Sequence, residues 1–495
     1  MVSNKTIHTD DLKKLNEWRS YQSTLSLILC AAVKRLFPKG KLRIEHSMSK
    51  GFYCKLGPKI NASAVKKIER RMKRLIDEDL PIQQASFPRE KAAYLFNNLD
   101  QPDKVKLLTN IRKKHVTLYS LLDVYDMYII PPFDTTAKVP LFYLRHFAPG
   151  FVMVFPTWQD LSKLPEFVPQ PRLNRIFNEY VEWARILEID DVGPLNAVIK
   201  NGGGPQIIKI VEALHEKKIA QIADRIVKER SKVVLVAGPS SAGKTTFTKR
   251  LAIQLIVNGT RPLVISTDNY FQPHSKTPRD ECGKLDFETI EAVDTALLNA
   301  DLLQIIKGRT ITVPKFNFVT GRRIKGHAVK GKDFDVVLLE GIHCLNDQLT
   351  HRIQRDIKFK IYISALTQLN IDDHNRISTT DTRLIRRLVR DTHFRGYRTR
   401  EVLRLWGRVI RGEEGNIYPY QEEADEMFNS ALVYEPGVLK RFCVPLLKHI
   451  AKRSSEFKEA KRLIDFLNLF YDLSGRDVPS NSILREFIGG SSFIY

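Results

Sequence analysis

The chain has 495 residues, a length that predicts about three domains. Hydrophobic residues make up 43% and charged residues 27%, which excludes wholesale disorder. Lys and Arg exceed Asp and Glu by 79 − 56 = 23, and such an excess attracts polyanions: nucleotides, RNA or an acidic surface.

The N-terminus carries Asp10 and Asp11 and no apolar core, so it reads as neither signal nor transit peptide. The apolar run from Leu25 to Val33 is far shorter than the roughly 20 residues that span a bilayer. Cys30, Cys54, Cys282, Cys344 and Cys443 are joined by no CxxC or CxxxH spacing, which argues against disulfides and zinc knuckles. A cytoplasmic protein with no membrane contact is expected.

Residues 1–160 mix helical and extended patterns. Val65, Ile68, Met72, Leu75 and Ile76 recur at helical spacing with Lys and Arg opposite them, and Ser63 is the expected N-cap. VPLFYLRHFAPGFVMVFP predicts two strands broken at Pro149-Gly150. Residues 161–230 read as a helical connector, with a stripe of Leu173, Ile176, Phe177, Tyr180, Trp183 and Ile186 and a breaker at NGGGP. From 231 to 445, the apolar runs KVVLVA, RPLVIST, DFDVVLLEG and KFKIYISAL alternate with helical segments. That alternation predicts an α/β unit whose parallel sheet is covered by helices on both faces. Residues 446–495 are expected to form a helical tail on that unit.

Gly238-Pro-Ser240-Ser241-Ala242-Gly243-Lys244-Thr245 fits G-x-x-x-x-G-K-[ST], the Walker A phosphate loop, between a predicted strand and a predicted helix. Glycines let backbone N–H groups turn toward phosphate oxygens, and the helix N-terminus adds its positive end. Lys244 reaches the outer phosphates, Thr245 offers a hydroxyl to Mg²⁺, and Thr246 continues the nucleotide-binding turn. Asp268 follows the second strand, where a general base for an acceptor hydroxyl belongs. Glu340 ends VVLLE, placed to hold the metal. Arg383, Arg386, Arg387 and Arg390 fall at i, i+3, i+4 and i+7 on one helical face, and Gly396 breaks the run after Arg395. The row reads either as a solvated basic face or as a lid that stabilises charge on a transferred phosphoryl group.

Together GPSSAGKTT, STDNYF, KLDFETIEAVD, PKFNFVTGRR, DVVLLEGI, DTRLIRRLVRD and Ala424-Asp425 resemble the uridine kinase family of P-loop nucleoside kinases, in family order across roughly 232–435. The resemblance implies a phosphotransferase with an alcohol acceptor, using ATP and Mg²⁺. Asp268 would be the catalytic base, and Thr245 with Glu340 would hold the metal. Arg387, Arg390 and Arg395 would contact phosphates, and Asp286 the ribose hydroxyls. Tyr270, Phe316 and Arg383 complete the acceptor site. In the family a Tyr and a His of PxYDFxxH read a pyrimidine base; here those positions are Phe316 and Gly321, with Asn317 between. That departure leaves another small hydroxyl compound as an alternative acceptor, and a nucleotide-binding RNA-associated protein as an alternative function.

LILCAAVKRLFPKGKLRIEHSMSKGFYCKL and KIERRMKRLIDEDLPI are similar to the second additional, editing-type α+β domain of threonyl-tRNA synthetases. The order of that domain ahead of a kinase, with the closing SILREFIGGSSF, resembles a bacterial-type class of fused uridine kinase-like proteins. The HxxxH of the synthetase domain reads Ser23 and Leu27, so zinc-dependent editing is not expected, and His46 and His146 read as ordinary polar positions. RNA bound through the basic surface and homo-oligomerisation are the partners expected beside the small-molecule acceptor.

Overall fold

The computed structural model describes residues 6–495 apart from 58, 281–282, 319 and 368, so Cys282 lies outside the described residues. The chain folds as two compact units, and they interleave along the sequence. The first takes residues 1–208, 367–407 and 433–477; the second takes 209–366, 408–432 and 478–495. The boundaries expected at 160, 230 and 445 are contiguous cuts, whereas α-helical segments late in the chain pack with the first unit. The expected C-terminal tail is accordingly shared out, 446–477 to the first unit and 478–495 to the second.

The first unit begins with α1 (Thr6–Leu36), β1 (Leu42–Met48), β2 (Gly51–Leu56) and α2 (Ala62–Asp77). It continues through β3 (Gln83–Pro88), α3 (Arg89–Asn98), α4 (Pro102–Thr109), β4 (His115–Leu121), β5 (Val124–Asp126), β6 (Tyr143–Phe147), β7 (Gly150–Val154), α5 (Pro171–Leu187) and α6 (Val192–Lys200). β1-β2-β7-β6 form an antiparallel sheet, with Phe147 opposite Gly150 across the expected turn. β3-β4-β5 form a second sheet. The apolar face of α2 buries Val65, Ile68, Met72, Leu75 and Ile76 as its periodicity predicts. Its cap differs: Asn61 Oδ1 accepts from Ala64 N–H at 2.9 Å, and Ser63 sits inside the first turn. Leu27 joins the apolar core with no exposure, so one of the two positions expected to lack a metal ligand is filled by hydrocarbon packing.

The second unit holds α7 (Gly204–Lys228), β8 (Val233–Ala237), α8 (Lys244–Val257), β9 (Pro262–Ser266), α9 (Thr295–Ile306), β10 (Thr310–Thr312), β11 (Lys315–Asn317), β12 (Arg322–Ile324), β13 (Ala328–Lys330), β14 (Val336–Glu340) and β15 (Lys358–Ser364). Of the later elements, β16 (Asn370–Asp372), β17 (Asn375–Arg376), α10 (Thr379–Phe394), α12 (Glu435–Lys448) and α13 (Phe457–Leu467) return to the first unit, α11 (Thr399–Asn416) contains the boundary at residues 407 and 408, and β18 (Glu426–Asn429) and α14 (Arg485–Ile488) belong to the second. The central sheet is all parallel in the order β18-β15-β8-β14-β9. β8 and β15 are buried along their whole length, as unbroken apolar runs require when both faces are covered, while edge strand β9 exposes Val264. Strand β8 lies at the centre, so the loop leaving its C-terminal end opens at the crevice where ligands bind in such sheets.

Candidate active site

The phosphate loop joins β8 to α8. Gly243 adopts φ +86° with Ile483 packed against its Cα, and Ser241 also takes a left-handed φ of +59°. Two such residues within one turn curl the backbone into a nest of N–H groups at the start of a helix, the arrangement that receives an anion. Lys244 Nζ lies over the loop, donating to Gly238 O at 2.9 Å and Pro239 O at 3.3 Å.

Carboxylates crowd this nest. The Thr245 hydroxyl, in the first turn of α8, donates to Glu340 Oε2 at the end of β14 at 3.3 Å. Burial pushes the Glu340 carboxyl up to about 7; Asp268 and Glu486 add to the rise, and Lys244 and the Thr245 hydrogen bond oppose it. Lys244 and Asp268 thus lie within electrostatic reach of Glu340, and Thr245 within hydrogen-bond reach, on segments that follow β8 and β9. Asp268 itself is exposed, in a short turn (267–270) capped where its own N–H meets Ser266 Oγ. Hard oxygens from a hydroxyl and a carboxylate are the donors Mg²⁺ takes, so Thr245 and Glu340 fit that ion.

Two further acids reach the loop, and sequence reasoning missed both. Glu413 of α11 accepts from Ser240 N–H at 2.9 Å and from Tyr418 OH at 3.2 Å. Glu486 of α14 accepts from Thr246 Oγ1 at 2.8 Å and Thr246 N–H at 3.4 Å, and Tyr495 OH meets the same Thr246 hydroxyl at 2.8 Å. The short helix was visible only as the motif SILREFIGGSSF, and nothing in that motif announces a contact 240 positions away.

The residues expected at the acceptor, Tyr270, Asp286 and Phe316, lie in the lobe that follows Asp268 in the second unit. Asp286 Oδ1 accepts from Glu288 N–H at 2.9 Å, fixing its turn. Burial and Asp301 raise the Tyr270 phenol, which has no exposure and whose OH donates to Asp301 Oδ2 at 3.0 Å, so Tyr270 is packed inside the unit rather than open to an acceptor. Phe316 is buried in a cluster with Phe271, Phe287 and Phe318. His343, two residues beyond Gly341, is pushed down to about 4 by burial and faces the charges of Glu291 and Asp286, a neutral neighbour of the lobe that the sequence did not single out.

The arginine row of α10 belongs to the first unit. Arg386 is buried against Glu435 at 2.6 Å, Arg383 lies over the Trp406 ring at 5.5 Å, and Arg387 and Arg390 pair with Asp391 at 3.1 and 2.8 Å. Arg395 is exposed. The row is thus neither a solvated face nor a set of free cations.

Sheet order, loop and converging acids define a P-loop kinase domain. Residues 233–433 match the phosphoribulokinase / uridine kinase family. Uridine kinases of Lactobacillus helveticus and Mycoplasma pneumoniae are 29% and 28% identical over 168 and 178 residues, 34% and 36% of this chain and 71% and 75% of theirs. A threonine–tRNA ligase of Acetivibrio thermocellus is 32% identical over 135 residues, 27% of this chain. The chain spans only 21% of that ligase's length. One chain thus joins a region similar to uridine kinases, within 233–433, to a region similar to a threonine–tRNA ligase. No described helix is long and apolar enough to cross a membrane.

Proposed function

We propose that the protein is an ATP- and Mg²⁺-dependent kinase that phosphorylates the 5′-hydroxyl of a nucleoside. The observation that carries this reading is the convergence on Glu340 of Thr245, Lys244 and Asp268. The nest holds the triphosphate, and Lys244 swings from its carbonyl contacts to the outer phosphates. Thr245 and Glu340 hold the metal, which when bound neutralises phosphate charge. Asp268, exposed at the strand end, accepts the hydroxyl proton as oxygen attacks phosphorus, and Asp286 keeps one carboxylate oxygen for the sugar hydroxyls. Catalysis then rests on positioning and on charge stabilisation.

The test is ATP consumption with Mg²⁺ against nucleosides and small polyols, beside Asp268→Asn. Loss of the base is expected to lower kcat by about 10²- to 10⁴-fold with nucleotide affinity retained. Turnover restricted to polyols would keep the kinase and replace its acceptor. Undiminished turnover in the variant would remove Asp268 from the chemistry.

A further inference from the structure

The acceptor lobe contains a bowl of aromatic rings. Phe271 and Phe316 are buried at its floor, Phe287 is half-buried, and Phe318 is 57% exposed at its rim. Their ring centroids lie 5.0–6.4 Å apart, mostly edge to face. One more ring completes the wall: His274, 5.7 Å from Phe287 and 6.2 Å from Phe316. Among the described residues of this ring cluster, His274 alone brings a hydrogen-bonding side chain.

The place of His274 is fixed from the opposite hairpin. Its N–H donates to Gly321 O at 3.0 Å, just after the tip of the β11–β12 hairpin. Gly321 holds φ +64°, and a Cβ there would lie 2.0 Å from His274 Nδ1 and 2.2 Å from Cγ. No residue but glycine leaves room for the imidazole, and the left-handed backbone favours glycine again. Gly321 and His274 form one device: the hairpin gives up its own side chain and the loop after β9 inserts a ring in its place.

We propose that His274 is the specificity-determining residue of the acceptor site, hydrogen-bonding the edge of a planar nitrogen heterocycle that stacks on the phenylalanine bowl. This rests on the nucleoside kinase reading above and says which group recognises the base. Phenylalanine faces accept any flat ring, and base–aromatic stacking is tolerant of sequence. Discrimination needs a polar group that an unsuitable acceptor leaves unpaired, and the imidazole supplies it.

The experiment measures acceptor KM and kcat for uridine, cytidine and ribose in the full chain, in His274→Leu and in His274→Gln. Leucine keeps bulk beside Gly321 and removes the hydrogen bond; glutamine restores one. His274→Leu is expected to raise KM for a nucleoside about tenfold, the size of one lost hydrogen bond. KM for ribose and for ATP should stay within about twofold, kcat should change little, and glutamine should recover most of the loss. Unchanged nucleoside KM in His274→Leu, or equal loss in both variants, overturns the assignment while the kinase stands. Turnover of ribose but of no nucleoside overturns it too. If nothing is turned over, calorimetric nucleoside binding gives the same reading: tenfold weakening in His274→Leu supports it, and absence of binding to the unaltered chain removes both proposals.

Discussion

At the scale of single residues, buried charges separate structural roles from chemical ones. Lys104 has no exposure, and its Nζ lies 3.3 Å from Asp126 and 3.3 Å from Asp372. Burial works against the charge, but Asp126, Asp372 and Asp103 outweigh it and hold the ammonium raised. Cys30, Asp126 and His374 offer atoms within 4.8 Å of one another, yet Lys104 Nζ stands 3.2 Å from His374 Nδ1, so the cation of this cluster is already the lysine. Lys104→Met should leave buried carboxylates uncompensated and lower unfolding free energy by about 3–5 kcal/mol, read from urea denaturation. A loss below about 1 kcal/mol would mean that the acids take up protons or water at little penalty. The sequence gives no hint of this network, because Lys104 reads as one more surface cation on a basic helix until tertiary packing surrounds it with acids.

Among elements, α14 and the residues after it make the least expected contact. Glu486 holds the N–H and hydroxyl of Thr246 in the first turn of α8, where the helix dipole favours an anion. A bound polyphosphate draws on the same end of the helix. Glu486→Gln keeps a hydrogen-bonding oxygen and removes the competing charge, so nucleotide Kd should fall about fivefold, on the order of 1 kcal/mol. A Kd that rises in equilibrium titration would make Glu486 a cap that the loop needs for its shape. Legibility at this scale divides cleanly. The placement of the loop, Asp268 and Glu340 at strand ends was readable, because the apolar runs mark where the strands stop. The contact made by α14 was not, since it depends on which surface a short distant helix meets. The arginine helix shows the same limit from the other side: its period was plain, but pairing of Arg386 with Glu435 was beyond any local pattern.

For the whole molecule, the interleaved units mean that late segments stabilise early ones. Asp381, Glu459 and Arg462 come from residues 381–462, and Arg19 comes from the N-terminal helix of the same unit. A contiguous domain reading from composition could not join them, as sequence separation hides a pairing between residues 19 and 459. Arg19 donates to Glu459 at 2.8 Å and Arg462 donates at 2.7 Å, all nearly buried. Burial pushes the Glu459 carboxyl upward, but Arg19 and Arg462 overcome it and hold the group down to about 2, against an unperturbed value of 4.5. A depressed folded-state value means that the unfolded chain binds the proton first. The stabilisation is therefore complete above pH 4.5 and is lost as pH falls toward 2, amounting to about 3 kcal/mol for a shift of this size. Thermal melting between pH 5 and 2 should show a steep loss of stability. Glu459→Gln should melt lower at neutral pH, where it removes one of the two carboxylates that face Arg19 and Arg462 and leaves Asp381 to both, and should lose less on acidification. Parallel melting curves for the two proteins across that window would assign the acid sensitivity to other carboxylates.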